Sequence, residues 1–194
     1  VTGLAGARHV TIPLTEPGFQ PSSAAIDAAI TDRTSVIVLN SPHNPTGSIL
    51  EPEHLERIVA AAARHDAVIV SDEVYEHLVY DGQAHRPTAT YPGAAARTLT
   101  VSSAAKTFSV TGWKIGWVTG PAALVEAVLG VKQWLTYVNG APFQGAVARG
   151  LRLDDAFFDG LRATLQRRRD LLAAGLVDAG FRIAPTAGSY FIVA

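Results

Sequence analysis

The stretch Ser102-Ser103-Ala104-Ala105-Lys106-Thr107-Phe108-Ser109-Val110-Thr111-Gly112-Trp113-Lys114-Ile115-Gly116-Trp117 joins two β-rich runs. Residues 97–102 before it read as one strand and 115–119 at its end as another. The first run ends in two hydroxyls and then a lysine, Lys106, with a second cation, Lys114, eight residues further on behind Thr-Gly-Trp. Ligands of open α/β sheets bind outside the carboxyl ends of strands, where this polar group falls.

Two segments upstream repeat the pattern. Residues 35–39 form a continuous apolar run, as expected of a strand buried on both faces, and stop at the turn-rich Asn40-Ser41-Pro42-His43-Asn44-Pro45-Thr46-Gly47. From Glu51, with Pro52 suited to a first helical turn, Leu55, Ile58, Val59, Ala62 and Ala63 recur at helical spacing and predict a core-facing stripe. Val68-Ile69-Val70 is the next strand, followed by Asp72-Glu73-Val74-Tyr75. The alternation of short β-branched runs with helical periods predicts an α/β fold, a mainly parallel sheet sandwiched by helices.

Beyond Pro121 the pattern turns helical, with Leu124, Val125, Val128, Leu129 and Val131 on a broad apolar face. Residues 138–142 break it and start another helix. A long helix is expected over 155–179, with Phe158, Leu161, Leu165, Leu172 and Leu176 on one side and Gly180 as its stop. Residues 181–184 and 189–193 read as the first strands of a second, smaller α/β domain. The domain expectation is therefore 1–154 for the core of a large domain and 155–194 for a connecting helix and the start of a small one.

The 194 residues are 48% hydrophobic with a formal charge of −1, enough for a sizeable core and without the broad basic field that nucleic acid or an anionic membrane requires. Arg167-Arg168-Arg169 reads as a solvated helix face. With no cysteine there is neither a disulfide framework nor thiol chemistry, and a cytoplasmic protein is the expectation. The six histidines show no metal-ligand spacing, so no metal is expected. There is no methionine at position 1 or elsewhere, and the last residues still read as a strand, so an internal portion of a longer chain is expected.

Each polar candidate carries two readings. A lysine after a strand is more often a surface cation, yet its amine can also form an imine with an aldehyde. Asp72 suits a helix cap as well as a partner for a protonated ring nitrogen. Asn44-Pro45-Thr46-Gly47 is an ordinary turn by composition. The constellation weighs more than its parts: Asn44 stands 28 residues before Asp72, with a helix and a strand between them, and Ser103 and Lys106 follow.

Together, Asn-Pro-Thr-Gly, Asp-Glu-Val-Tyr, Ser-x-x-Lys and Thr-Gly-Trp-Lys resemble the large domain of the class I and II aminotransferases, fold-type I enzymes that use pyridoxal 5'-phosphate. The resemblance covers nearly the whole chain and is closest to the kynurenine, glutamine and methionine transaminases and the N-succinyldiaminopimelate aminotransferases. It implies that Lys106 forms the internal aldimine and shuttles the α-proton, that Asp72 faces the pyridine nitrogen, and that Asn44 and Tyr75 hydrogen-bond the phenolic oxygen. The catalytic set is then Lys106, Asp72 and Tyr75. Ser103 and Lys114 would meet the phosphate, although many relatives carry arginine where Lys114 stands and a second serine where Ala105 stands. The family also suggests a cis Asn44-Pro45 bond, amino acid and 2-keto acid substrates, and a homodimer. Its phosphate-binding loop and stacking aromatic would precede Val1, and its carboxylate-binding arginine would follow Ala194. Neither nucleic acid nor membrane is an expected partner. Two other functions use the same residues: a carbon-sulfur β-lyase, and the transaminase-like sensor domain of a transcription regulator. His43, His77 and Trp113 read as packing residues beside the site, and Gly188-Ser189-Tyr190-Phe191 resembles a small-domain strand with no catalytic role assigned.

Overall fold

The computed structural model describes residues 2–194. A small antiparallel pair, β1 (Leu14–Thr15) and β2 (Gln20–Pro21), leads into helix α1 (Ser23–Ala29). The main sheet follows as β3 (Val36–Asn40), helix α2 (Pro52–Arg64), β4 (Val68–Asp72), β5 (Thr98–Ser103), the short helix α3 (Ala104–Thr107) and β6 (Gly116–Thr119). Helices α4 (Ala122–Leu135), α5 (Ala141–Gly150) and α6 (Asp155–Asp178) complete the chain. Strands β3, β4 and β5 run parallel in that order, and β6 closes the edge antiparallel to β5. The fold is thus α/β with a mixed, mostly parallel sheet.

The parallel half forms because β-branched runs alternate with a well-marked helix. Val36-Ile37-Val38-Leu39 and Val68-Ile69-Val70 suit a pleated surface. Helix α2 starts with Pro52 in its first turn, where a missing N–H costs nothing. Leu55, Ile58, Val59 and Ala62 are buried as their spacing predicts, whereas Ala63 is exposed and Ala61 packs inward in its place. They join Ile26 and Ile30 around α1 with Ile37, Leu39 and Ile69 from the sheet. Complete burial of an isoleucine such as Ile26 or Ile69 contributes about 2 kcal/mol.

Several expectations are corrected. Strand β3 is not buried on both faces: Ile37 and Leu39 enter the core, but Val38 is 72% exposed, because α1 and α2 cover only one face there. The apolar residues of α4 do not form a buried face either, and no α4 residue is buried. In α6, Phe158, Leu161, Leu165 and Leu176 are half-buried while Leu172 is exposed. Arg169 does not belong to a solvated face. It meets Asp81 at 2.6 and 2.7 Å and donates to the Thr186 carbonyl at 2.7 Å, tying α6 to two distant loops. Residues 181–184 and 189–193 do not form strands. A strand needs a ladder, and here the pairing is one Ala184-to-Val193 hydrogen bond and one Val79–Gly188 bridge. Among the described residues no helix is long and apolar enough to cross a membrane.

Candidate active site

The parallel register brings the polar strand ends to one edge. Asn40 on β3 lies opposite Asp72 on β4, and Asp72 lies opposite Val101 on β5. Each strand then breaks into a loop carrying a candidate residue: Asn44 after β3, Tyr75 after β4, and Lys106 on α3 after β5. Sequence separation is large, yet the pairing makes them neighbours.

The first loop is held by its own polar atoms. The Asn44 N–H donates to the Asn40 Oδ1 at 2.8 Å, and Asn40 Nδ2 donates to the Asp72 carbonyl at 3.2 Å. His43 Nδ1 meets the Thr46 hydroxyl at 2.8 Å, and burial pushes its pKa down, so His43 packs the loop rather than serving the site. The Asn44-Pro45 bond is cis, and so is Ser41-Pro42. Gly47 sits at φ 68°, and a Cβ there would meet Thr186 Cγ2 at 2.6 Å and the Gly188 carbonyl at 2.8 Å. Only glycine allows this turn, whose carbonyl accepts from both Ala187 and Gly188 N–H groups.

The second loop is built around a buried carboxylate. Glu73 is fully enclosed; its Oε1 accepts from the Ser71 hydroxyl at 2.8 Å and the Thr88 N–H at 2.9 Å, while Oε2 lies 2.7 Å from His85 Nε2. Burial alone would push this carboxyl up, but the His85, Thr88 and Ser71 contacts together hold it below its ordinary value. Asp72 Oδ1 accepts the Val74 N–H at 3.3 Å, so the aspartate closes a turn rather than capping a helix and keeps its other oxygen for a partner. Tyr75 is buried, and burial, followed by Tyr190 and the Asp72 charge, raises its phenol well above its ordinary value despite the opposing Asn44 contact. At neutral pH Tyr75 is therefore a hydrogen-bond donor.

Lys106 is half-buried, and its Nζ donates to the Tyr190 hydroxyl at 2.6 Å, 5.3 Å from the centre of that ring and 5.7 Å from the Tyr75 ring. Ser103 precedes it as the cap of α3, accepting from the Ala105 N–H at 3.2 Å and donating to the Ile115 carbonyl at 3.2 Å. Its proton is thus engaged within the chain, and a phosphate would have to draw it away. Lys114 is exposed and sits in the left-handed region at φ 55°, a strained conformation for a lysine of the kind that collects at functional sites. Trp113 stacks on Phe143 at 4.7 Å, and His77 on Phe158 at 4.3 Å, both as packing residues.

Lys106, Asp72, Tyr75 and Asn44 are brought to one edge, with Ser103 beside Lys106 and Lys114 on the turn before β6. These groups are an amine, a carboxylate, two neutral hydrogen-bond donors, a hydroxyl and a cation. They fit a ligand with a carbonyl, a basic ring nitrogen, a phenolic oxygen and a phosphate, as pyridoxal phosphate is. Two contributors carry no sequence signal of their own: Asn40, which lies inside an ordinary turn, and Glu73, an acid between two site residues; Tyr190, 84 residues beyond Lys106, lies in the segment resembling a small-domain strand, to which the sequence assigned no role. A separate group, Glu51, Glu53 and His54, brings ligand atoms within 4.8 Å at the start of α2, where the helix dipole opposes a cation.

The family model for aminotransferase class I and II matches residues 1–194. A probable N-succinyldiaminopimelate aminotransferase, DapC, of Mycobacterium tuberculosis is 49% identical over 196 residues, spanning 100% of this chain and 49% of the relative. A kynurenine–oxoglutarate transaminase of Dictyostelium discoideum is 41% identical over 170 residues, 86% of this chain and 39% of the relative. The solved N-succinyldiaminopimelate aminotransferase from Mycobacterium tuberculosis superposes with a TM-score of 0.94 at 49% identity, over 97% of this chain and 50% of that one. Escherichia coli YbdL, solved with a methionine aminotransferase function, superposes at 0.91 with 32% identity, over 97% and 50%. The chain spans about half the length of the curated relatives it matches.

Proposed function

The chain belongs to the class I and II aminotransferases, and from that premise we propose that the whole protein transfers an amino group between an amino acid and a 2-keto acid using pyridoxal phosphate. The observation that carries this is the meeting of Lys106, Asp72, Asn44 and Tyr75 at the carboxyl edge of β3, β4 and β5. When bound, the cofactor supplies an electrophilic carbonyl carbon and a protonated ring that draws electrons from the substrate α-carbon.

The chain's own residues do the rest. Lys106 would hold the cofactor covalently through Nζ and, once released, would carry the proton from the substrate α-carbon to the cofactor. Asp72 keeps the ring nitrogen protonated by placing a carboxylate beside it. Tyr75, protonated because it is buried, donates to the phenolic oxygen with Asn44. Lys114 supplies a point charge and Ser103 a hydroxyl for the phosphate. The relatives' names favour transfer over β-elimination, and N-succinylated diamino acids, kynurenine and methionine are the first amino donors to try. The same reading takes residues 155–194 as a connecting helix and the start of a small domain, and the whole protein as a cytoplasmic homodimer. Exposed apolar side chains such as Trp134 and Leu135 on α4 support further protein covering that helix.

The test is the visible spectrum of the whole protein with pyridoxal phosphate, compared with Lys106→Ala, before and after an amino donor. A band that needs Lys106 and is lost on adding donor, with keto acid released, is expected. Well-folded wild type that forms no Lys106-dependent band would overturn the assignment.

A further inference from the structure

The Lys106–Tyr190 contact lies outside every role given above. Tyr190 comes from the segment after α6, and three contacts fix it there. Its neighbour Ser189 is fully buried, with its N–H donating to the Leu78 carbonyl at 2.9 Å. The Ser189 carbonyl accepts the hydroxyl of buried Tyr80, and Gly188 bridges to Val79. A Cβ at Gly188 would meet Pro42 at 2.8 Å and the Leu78 carbonyl at 2.9 Å, so the backbone approaches as closely as glycine permits. Ser189 itself sits in the left-handed region at φ 62°, a conformation that costs a serine about 1 kcal/mol and persists only where surrounding contacts impose it.

The side chain that emerges from this anchored backbone is 46% exposed, yet its ring packs edge-on against Tyr75 at 5.2 Å. Its hydroxyl meets the Lys106 amine. The charged and titratable groups facing that hydroxyl are Lys106 and Tyr75.

We propose that Tyr190 is a positioning residue for Lys106, its hydroxyl holding the ε-ammonium beside Tyr75 whenever the amine is not covalently engaged. A lysine side chain has four rotatable bonds, and a free amine with no partner spends most of its time away from the place where it must react. One short hydrogen bond from a charged donor restricts that freedom, and the edge-on contact with Tyr75 fixes the acceptor. Burial would push the Tyr190 phenol up, but the hydrogen bonds from Lys106 and Tyr75 more than reverse this and leave it below its ordinary value. The inference rests on Lys106 being the group that joins the cofactor.

Two measurements on the cofactor-free whole protein test it. In an ultraviolet titration, the phenol absent from Tyr190→Phe ionises below an ordinary tyrosine in wild type, and Lys106→Met moves it upward. In the second, the Lys106-dependent visible band grows about tenfold more slowly in Tyr190→Phe when pyridoxal phosphate is added, the loss expected for a charge-assisted hydrogen bond. The substitution keeps the ring and its packing on Tyr75, so an unchanged melting temperature is expected. If Tyr190→Phe fails to fold, the comparison of wild type with Lys106→Met still decides, because burial raises the Tyr75, Tyr80 and Tyr91 phenols and a phenol that ionises low and moves upward in Lys106→Met is then the one facing that amine. A Tyr190 ionisation indifferent to Lys106→Met, or equal uptake rates in folded wild type and Tyr190→Phe, overturns the inference. Wild type that binds the cofactor without any Lys106-dependent band is a separate failure, of the reading on which Tyr190 depends, and removes the inference with it.

Discussion

Asn40 donates from Nδ2 to the carbonyl of Asp72 across two parallel strands, at 3.2 Å. The same side chain accepts the Asn44 N–H through Oδ1 at 2.8 Å. One amide thus sets the spacing between the residue proposed to face the ring nitrogen and one proposed to face the phenolic oxygen. Asn40→Ala removes both bonds, and at about 1 kcal/mol each the whole protein should lose about 2 kcal/mol of stability. Denaturant unfolding measures that loss, and titration with pyridoxal phosphate should show weaker binding. Unchanged cofactor affinity would mean that the Asn44 loop is held by other contacts.

Asp72 allows its structural and chemical roles to be separated. Its Oδ1 accepts the Val74 N–H, and an amide oxygen does this as well as a carboxylate. Asp72→Asn should therefore leave the melting temperature nearly unchanged while lowering kcat by about a hundredfold, the scale of losing one aligned electrostatic partner. Steady-state transamination with wild-type and variant protein checks both. A variant that is unstable but as active per folded molecule as wild type would assign Asp72 to the turn alone.

Glu73 predicts how the site responds to acid. Its carboxyl is held below its ordinary value, despite burial, by His85, Thr88 and Ser71. The unfolded chain then binds more protons than the folded one in the acid range, so stability rises with pH there. That contribution is complete above the ordinary carboxylate pKa and is lost as the pH falls through the lower folded value. Glu73→Gln keeps the shape but removes the charge facing His85, and should cost about 3 kcal/mol near neutrality. Unfolding curves for the two proteins at a series of pH values should converge in acid. A constant difference across the series would show that the charge does not carry the effect.

The central strands themselves were legible in the sequence because their signals are local. A β-branched run followed by polar punctuation marks β3, β4 and β5, and the stripe from Leu55 to Ala62 marks α2 between the first two. Asn44, Asp72 and Lys106 were legible as candidates because each stands at or just beyond the end of such a strand, whereas Tyr75 came from the family resemblance. Other features are set by neighbours that no local pattern names. Val38 has the same apolar side chain whether or not a helix covers it, and 181–184 and 189–193 have strand composition without partners to form a ladder.

By itself, then, the sequence determined which residues stand at strand ends and hence the chemistry available at one edge of the sheet, because periodicity and turn chemistry act over a few residues. Only the tertiary structure decided that Asn40 joins Asp72, that Glu73 is enclosed by Ser71, Thr88 and His85, and that Tyr190 reaches Lys106. These contacts arise from the register of parallel strands and from the docking of residues 186–190 on Gly47 and Leu78, and hydrogen bonds across such separations depend on where the whole backbone goes.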